Sequence, residues 1–419
     1  MGTTINNSIS KTQAIAYENK YGAHNYHPLP VVLSKGKGIY VWDVDNKKYF
    51  DFLSAYSAIN QGHSHPKIIA ALKEQAEQLA LTSRAFYNDK LGPYEKFATE
   101  YFGFDKLLPM NTGAEAVETA IKLARKWAYE KKGIPENKAN IIVAEGNFHG
   151  RTTTIISFSN DPEARDNFGP YTPGFSKIPY NDLDALEDAM KNTPNTIAFL
   201  VEPIQGEAGV FVPDEGYLKG AKAICEKYGA LFIADEVQSG IARTGKLLAV
   251  DHENVKPDVL ILGKAMSGGV YPISAVLAND DIMLSIKPGQ HGSTFGGNPI
   301  AANVAMAALS VVKDEKLAEN ADKMGKIFRE EIQKIVDNSK FVKQVRGKGL
   351  LNAVLINDTE ESETAWNICL KLADNGLLAK PTHGNIIRFA PPLVINEEQL
   401  REALDIIKKS IAEYEQENF

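Results

Sequence analysis

The sequence predicts an α/β protein with a mostly parallel sheet, accompanied by a smaller α+β domain. Two observations predict this fold. Short apolar runs alternate with helix-length amphipathic segments through the middle of the chain, and the last third changes to helices followed by strands. Runs this short and this apolar are typical of strands that helices cover on both faces. At 419 residues the chain exceeds the roughly 250–300 residues at which a single core stops growing, so we expect more than one domain.

Composition excludes several classes of protein. Hydrophobic residues make up 44% and charged residues 24%, which excludes a disordered or fibrous chain. The net charge of -7 disfavours binding of nucleic acid through a basic surface. Only two cysteines are present, so we expect neither a disulfide framework nor a cysteine-rich metal site. Because there is no apolar run of ~18 residues and no basic leader, we expect a cytoplasmic protein without a membrane span.

The N-terminal part of the chain predicts a polar arm that leads into a helix over residues 1–20. Short β-type runs follow within Val31–Phe52, and Gly36 and Gly38 separate them, which indicates a small hairpin region. Apolar residues then recur at helical spacing over Pro66–Leu81.

Five apolar runs predict the strands of the sheet. Helix-length segments separate them, so we expect a parallel arrangement within residues 57–304. The runs are Lys106–Met110, Ile141–Ala144, Ile197–Val201, Leu231–Ala234 and Val259–Leu262.

The C-terminal part predicts a second, α+β domain. It is helical from Pro299 to Val336, strand-like at Gly349–Ile356 and Ile386–Ala390, and helical again over Glu397–Tyr414. We therefore expect three stretches: residues 1–56 as an N-terminal arm and part of the small domain, 57–304 as the large domain, and 305–419 as the rest of the small domain.

Three segments that follow predicted strands carry side chains suited to chemistry, and ligands of parallel sheets bind at these strand ends. Thr112-Gly113-Ala114 opens a helix and offers backbone N–H groups suited to a phosphate, although alone it reads as an ordinary capped helix. Asp235 comes at the end of an apolar run, and a buried carboxylate needs a polar or charged partner. That partner could be a ligand, but a role in a helix cap or an ion pair would also explain the residue. Lys264 lies between the apolar run Val259–Leu262 and a tight Ser-Gly-Gly turn. This position favours a desolvated, nucleophilic amine over a surface lysine.

Together these segments predict a pyridoxal phosphate site. Lys264 would form a Schiff base with the cofactor, and Asp235 would keep the pyridine nitrogen protonated. Thr112-Gly113-Ala114 would hold the phosphate, and Phe148 offers an aromatic ring to stack on the cofactor.

Three other kinds of site are disfavoured. Gly240–Lys246 matches the first seven positions of a nucleotide-phosphate loop, but Leu247 replaces the Ser or Thr that would hold Mg²⁺. No G-x-G-x-x-G follows a strand, so a dinucleotide site is unsupported. His63 and His65 have no third ligand nearby in sequence, so we expect no metal.

The sequence resembles the class III, pyridoxal-phosphate-dependent aminotransferases of fold type I, from about Tyr21 to the C-terminal helix. The resemblance implies a seven-stranded sheet in the large domain and a small domain assembled from both chain ends. It rests on Thr112–Ala116, Asp235–Gln238 and Gly263–Ala265, and on the longer matches Tyr21–Pro30, Pro203–Gly209 and Lys380–Gly384.

The resemblance implies roles around the cofactor. Lys264 would also move the proton between substrate and cofactor carbons, Asp235 would pair with the ring nitrogen, and Gln238 would approach the ring hydroxyl. Phe148 would stack on the ring. The phosphate would be held by Gly113 and Ala114, and by Ser293 and Thr294 of a second copy of the chain. The implied unit is therefore a homodimer with shared active sites, or a larger assembly of such dimers.

Within the family the resemblance is nearest to members that move the δ-amino group of L-ornithine to 2-oxoglutarate, giving L-glutamate 5-semialdehyde and L-glutamate. Arg151 with Tyr26 would anchor the α-carboxylate of ornithine, and Tyr56 would shape the same pocket. Arg388 would bind a carboxylate of 2-oxoglutarate, and Glu207 would mask Arg388 until that acceptor or glutamate arrives.

Two alternatives stay open. One is another ω-aminotransferase of the family, acting on acetylornithine or 4-aminobutyrate, although Tyr26 and Tyr56 stand where acetylornithine relatives tend to have non-aromatic residues. The other is a non-catalytic, phosphate-binding α/β protein in which Lys264 is only structural.

Overall fold

A seven-stranded sheet forms the centre of the structure, a computed structural model that describes residues 9–418. Six strands run in one direction, and only Ser274–Ala278 is antiparallel to both of its neighbours. The predicted mostly parallel sheet is therefore confirmed. In spatial order its strands are Lys106–Met110, Ser274–Ala278, Val259–Leu262, Leu231–Asp235, Thr196–Val201, Asn140–Ala144 and Phe175–Ile178.

The five apolar runs of the sequence are all strands of this sheet, but two further strands were not located in advance. Phe175–Ile178 lies at the edge of the sheet and is only partly buried, so its sequence lacks the apolar signature. Ser274–Ala278 is buried throughout, but the small side chains of Ser274 and Ala275 weaken the signature.

Alternate strand residues enter two separate apolar cores, one on each face of the sheet. Ile141 and Val143 pack in one core, with the helix Gly113–Lys131, whereas Ile142 and Ala144 pack in the other. The second core also contains buried residues of the helices Tyr217–Lys227 and Pro299–Asp314. Both faces of the sheet are thus covered, which explains why its central strands are apolar throughout.

Besides three short 3-10 helices, residues 9–418 contain thirteen α-helical segments, of which Ser54–Ser57 is a single turn with positive φ throughout. They are Lys11–Tyr21, Ser54–Ser57, Pro66–Gln78, Leu91–Phe102, Gly113–Lys131, Pro162–Arg165, Leu183–Asn192, Tyr217–Lys227, Asp280–Met283, Pro299–Asp314, Leu317–Val336, Thr364–Asp374 and Glu397–Asn418.

Two smaller sheets use both ends of the chain. Leu33–Lys37, Tyr40–Asp43 and Lys48–Asp51 form an antiparallel meander, and Leu377–Leu378 pairs in parallel with its last strand. The other sheet is antiparallel, with the order Val342–Lys348, Leu351–Ile356, Ile386–Phe389 and Lys380–His383. The hairpin region is confirmed, whereas the boundaries of the three predicted stretches stay predictions.

Two kinds of feature are absent from the part of the chain that the structure describes. Within residues 9–418 no helix is long and apolar enough to cross a membrane. In the same residues no group of three or more His, Cys, Asp or Glu side chains could hold a metal ion. His63 bonds to Asp51 and His65 to Glu315, so both histidines have ordinary packing partners.

Candidate active site

Lys264 lies at the carboxyl edge of the sheet, just after the strand Val259–Leu262. Its φ of +43° is in the left-handed region, which is uncommon for a residue other than glycine. Burial lowers the pKa of the Lys264 amine, although the charges of Glu207 and Asp235 oppose this effect. The amine is therefore nearer to its neutral, nucleophilic form than a surface lysine would be.

Asp235 ends the strand Leu231–Asp235 and is only 5% exposed. Its Oδ2 lies 2.7 Å from Nδ1 of the buried His149, and its Oδ1 accepts a hydrogen bond from the Val237 N–H at 3.0 Å. Burial would lower the pKa of His149, but the hydrogen bond and the charge of Asp235 outweigh burial and raise it. His149 is thus the partner that the buried carboxylate of Asp235 needs. The contacts with His149 and the Val237 N–H together fix the orientation of this carboxylate.

Phe148 lies next to His149, in the loop that follows the strand Asn140–Ala144. Its backbone N–H donates to Oε1 of Glu202 at 2.8 Å. Glu202 is buried directly after the strand Thr196–Val201, and burial raises the pKa of its carboxyl to about 7. Glu202 therefore holds the Phe148 backbone at the edge of the sheet.

The helix Gly113–Lys131 begins with a capping box. Thr112 Oγ1 accepts from the Glu115 N–H at 3.2 Å, and Glu115 Oε2 accepts from the Thr112 N–H at 3.1 Å. The backbone N–H groups of Gly113 and Ala114 donate no hydrogen bond within residues 9–418. They are therefore available to bind an anion. A Cβ on Gly113 would lie 3.0 Å from Val237 Cγ1, so a side chain here would crowd the site.

These residues surround two adjoining cavities that share Gly113 and Lys264. The first, of about 210 Å³, contains the side chains predicted to contact the cofactor ring. The second, of about 290 Å³, lies toward the turn that follows Lys264. Residues lining the first cavity include Gly113, Ala114, Phe148, His149, Glu202, Asp235, Val237, Gln238 and Lys264.

Arg388 and Glu207 form an ion pair beside this cavity. Arg388 Nη1 lies 2.8 Å from Glu207 Oε1, which also accepts a hydrogen bond from Gln238 Nε2 at 2.8 Å. Burial would raise the pKa of Glu207, but the positive charge of Arg388 and the hydrogen bonds from Arg388 and Gln238 together outweigh burial and lower the pKa. Tyr56 completes the group, with its ring centroid 5.0 Å from Arg388 Cζ. The structure thus brings four of the predicted residues together.

Arg151 and Tyr26 do not share these contacts. Tyr26 is 70% exposed and lines a cavity of about 380 Å³ together with Tyr56 and Lys380. The side chain of Arg151 is 60% exposed. Its Cζ lies 5.9 Å from the Phe148 ring centroid, and its Nη2 lies 4.0 Å from Asp161 Oδ2. Their joint role in holding one carboxylate stays a prediction.

Ser293 and Thr294 lie near the start of the helix Gly113–Lys131 of their own chain. Asn111 Nδ2 donates to Ser293 Oγ at 2.8 Å, and Thr294 is exposed. Their predicted contribution to the site of a second chain stays a prediction.

Sequence reasoning missed His149 and Glu202 as site residues. Glu202 directly follows the apolar strand Thr196–Val201, and Asp235 lies at the same end of its own strand, so the same rule could have found Glu202. His149 adjoins Phe148, but its bond to Asp235 joins residues 86 positions apart and has no local signal.

Comparison with known proteins agrees with this geometry. The model of the class III aminotransferase family matches residues 21–411. A Drosophila melanogaster protein named "Ornithine aminotransferase, mitochondrial" is 64% identical over 94% of this chain and 90% of its own length.

Two solved structures are also similar. An Elizabethkingia anophelis structure described as acetylornithine aminotransferase is 64% identical, with a TM-score of 0.89 over 97% of this chain and all of its own. An ornithine aminotransferase from Toxoplasma gondii, described with partial occupancy of PLP at its active site, is 51% identical. Its TM-score is 0.95 over 97% of this chain and 95% of its own.

Class III aminotransferases use pyridoxal phosphate, and the residues of this site fit that cofactor. The desolvated amine of Lys264 and the anchored carboxylate of Asp235 face one cavity with Phe148, and the free N–H groups lie at its side. The fold, the site and the match over residues 21–411 agree, and the chain therefore belongs to the class III aminotransferase family.

Proposed function

We propose that the protein transfers the δ-amino group of L-ornithine to 2-oxoglutarate, giving L-glutamate 5-semialdehyde and L-glutamate. The observation that carries the proposal is the Glu207–Arg388 ion pair of 2.8 Å beside Lys264. Such a pair can keep the carboxylate of ornithine away from Arg388 and yet open for a carboxylate of 2-oxoglutarate. The names of the Drosophila and Toxoplasma relatives support the same reaction.

Pyridoxal phosphate, when bound, accepts the amino group and withdraws electrons from the reacting carbon. Lys264 would hold the cofactor and carry the proton, which its desolvated amine suits. Asp235, fixed by His149 and the Val237 N–H, would keep a negative charge at the ring nitrogen. The N–H groups of Gly113 and Ala114 would receive the phosphate.

Arg388 would receive the acceptor. Its side chain is 3% exposed, and its Nε has no hydrogen-bond partner within residues 9–418. Only Nη1 contacts Glu207, so the guanidinium keeps donors for a second carboxylate. While Glu207 remains bound, the positive charge of Arg388 is neutralised and attracts no α-carboxylate.

The donor would enter from the side of Tyr26 and Tyr56. Their shared cavity is largely apolar around Leu29 and Leu53, which suits the methylene chain of ornithine. The exposed Arg151, beside Phe148, would bind the α-carboxylate and so leave the δ-amino group toward Lys264.

We also propose a homodimer that completes each site with Ser293 and Thr294 of a second copy. The large exposed side chains Phe86, Tyr87 and Phe295 support an interface, because such groups on a folded surface mark contacts with other molecules. We further propose a cytoplasmic location for this protein, in contrast to the Drosophila relative, which is named mitochondrial.

Acetylornithine is the second candidate donor, and the Elizabethkingia relative at 64% identity favours it. The masking pair favours free ornithine, because acetylornithine has no second free amino group to exclude. The test is to compare kcat/KM for L-ornithine and N-acetyl-L-ornithine with 2-oxoglutarate as acceptor. We expect a clear preference for ornithine, and a preference for acetylornithine would overturn the proposal.

A further inference from the structure

Arg243 is the largest of the fully buried side chains within residues 9–418, with an exposure of 0%. Within residues 9–418 no acidic side chain forms an ion pair with it. It lies in Gly240–Lys246, the segment that resembles a nucleotide-phosphate loop and that the proposed reaction does not use. A short 3-10 helix, Ala249–Glu253, follows the segment in place of the α-helix that a phosphate loop requires.

The hydrogen bonds of Arg243 join three segments that are distant in sequence. Its Nη2 and Nε donate to Asn60 Oδ1 at 2.6 and 3.2 Å. Its Nη1 donates to the carbonyl oxygens of Leu350 at 3.0 Å and Pro391 at 2.6 Å. Asn60 returns a bond from Nδ2 to the Ile241 carbonyl at 2.7 Å. The planar guanidinium therefore acts as a fixed fork between these segments.

Two of these segments carry the side chains that face each other beside the cofactor cavity. Asn60 closely follows the turn that contains Tyr56, and Pro391 closely follows the strand that contains Arg388. The Leu393 N–H also donates to the Asn60 carbonyl at 2.8 Å, which ties the two segments directly. The distance of 5.0 Å between the Tyr56 ring and Arg388 thus depends on how the two segments are held.

The turn with Tyr56 and the loop with Arg243 both have strained backbones. The four residues Ser54–Ser57 have φ values of +48°, +46°, +59° and +72°. Ile241 and Ala242 have φ values of +54° and +72°, and a β-branched residue rarely adopts this conformation. Strain of this kind persists only where surrounding contacts determine the backbone, and it concentrates at functional sites.

We propose that Arg243 is a positioning residue that sets the distance between Tyr56 and Arg388 and thereby the affinity for a dicarboxylate substrate. The inference rests on the proposed role of Arg388 as the acceptor's carboxylate site. Arg243 acts through Asn60 and Pro391, and it touches neither substrate nor cofactor. A lysine here keeps the positive charge but has a single nitrogen, so it cannot bond all three segments in the same geometry.

The test compares Arg243→Lys with the wild type as holoenzymes. The dissociation constant of glutarate, a dicarboxylate without an amino or oxo group, is measured by titration calorimetry. Crystal structures of both proteins give the distance from the Tyr56 ring to Arg388 Cζ. We expect glutarate to bind about tenfold more weakly or worse, because small displacements of substrate-positioning groups have effects of this size or more. We also expect that distance to change from 5.0 Å and the cofactor's absorbance to be retained.

Arg125→Lys is the matched control, because Arg125 also donates to a backbone carbonyl, that of Pro173 at 3.1 Å, and packs on the Phe175 ring. An unchanged glutarate affinity and distance in Arg243→Lys would overturn the proposal, as would an equal loss of affinity in the control. If Arg243→Lys does not fold, Asn60→Ser replaces the amide that accepts from Arg243 and donates to Ile241 by a shorter hydroxyl, and it is judged by the same criteria. If the wild type does not bind glutarate, the role of Arg388 fails, and the crystallographic distance still decides the role of Arg243.

Discussion

Replacing Glu207 with Ala is expected to change which amino group of ornithine reacts. In the wild type Arg388 Nη1 lies 2.8 Å from Glu207, and its other contacts, to Gly206 and Gln238, are 3.4 Å long. Without Glu207 the buried guanidinium can bind the α-carboxylate of ornithine, which places the α-amino group toward Lys264. A hydrogen bond between charged groups contributes about 1.5–3 kcal/mol, so the ratio of α- to δ-transfer should rise by about 10- to 150-fold.

Reduction with borodeuteride measures this ratio. The product of δ-transfer cyclises and is reduced to proline with deuterium at C5, whereas the product of α-transfer gives proline with deuterium at C2. Glu207→Gln is the control, because it retains a hydrogen-bonding oxygen but loses the charge, and we expect an intermediate ratio. A ratio in Glu207→Ala equal to that of the wild type would refute the reasoning that the ion pair selects the reacting end.

Two further predictions concern Lys264 and the pair formed by His149 and Asp235. Borohydride treatment of the wild type should fix the cofactor on the peptide that contains Lys264. Lys264→Ala should show no such mass increase and should lower kcat by about 10²–10⁴-fold or more, and a cofactor fixed elsewhere would contradict this. Asp235 raises the pKa of His149, so protonated His149 stabilises the fold fully below its ordinary pKa of about 6.5, and the stabilisation is lost as the pH rises through the raised value. His149→Gln should remove this part of the pH dependence of thermal unfolding, and an unchanged dependence would contradict it.

The strands that sequence reasoning located are those covered on both faces. Ile141–Ala144 and Val259–Leu262 are buried throughout, so their apolar runs are unbroken. Phe175–Ile178 could not be recognised in this way, because an edge strand carries polar residues on its exposed side. The prediction therefore depended on burial, which is complete in the centre of the sheet and partial at its edge.

The site residues divide in a similar way. Asp235 and Lys264 were predictable because each lies at the carboxyl end of a buried strand, where a charged side chain is costly without a function or a partner. Arg243, the proposed positioning residue, was not predictable, because its partners Asn60, Leu350 and Pro391 lie far away in the chain. The proposed role of Arg243 depends on the tertiary structure, and the local match of Gly240–Lys246 to a nucleotide-phosphate loop, which was disfavoured because of Leu247, gives no sign of it.

The most direct test of the account follows the nitrogen that is transferred. The holoenzyme is incubated with 2-oxoglutarate and L-ornithine that carries ¹⁵N only at the δ-amino group, and the glutamate formed is analysed by mass spectrometry. The account predicts that the glutamate carries the label, because in the proposed mechanism Glu207 masks Arg388 and the δ-amino group is directed to Lys264. Glutamate without the label, or no glutamate at all, would contradict it.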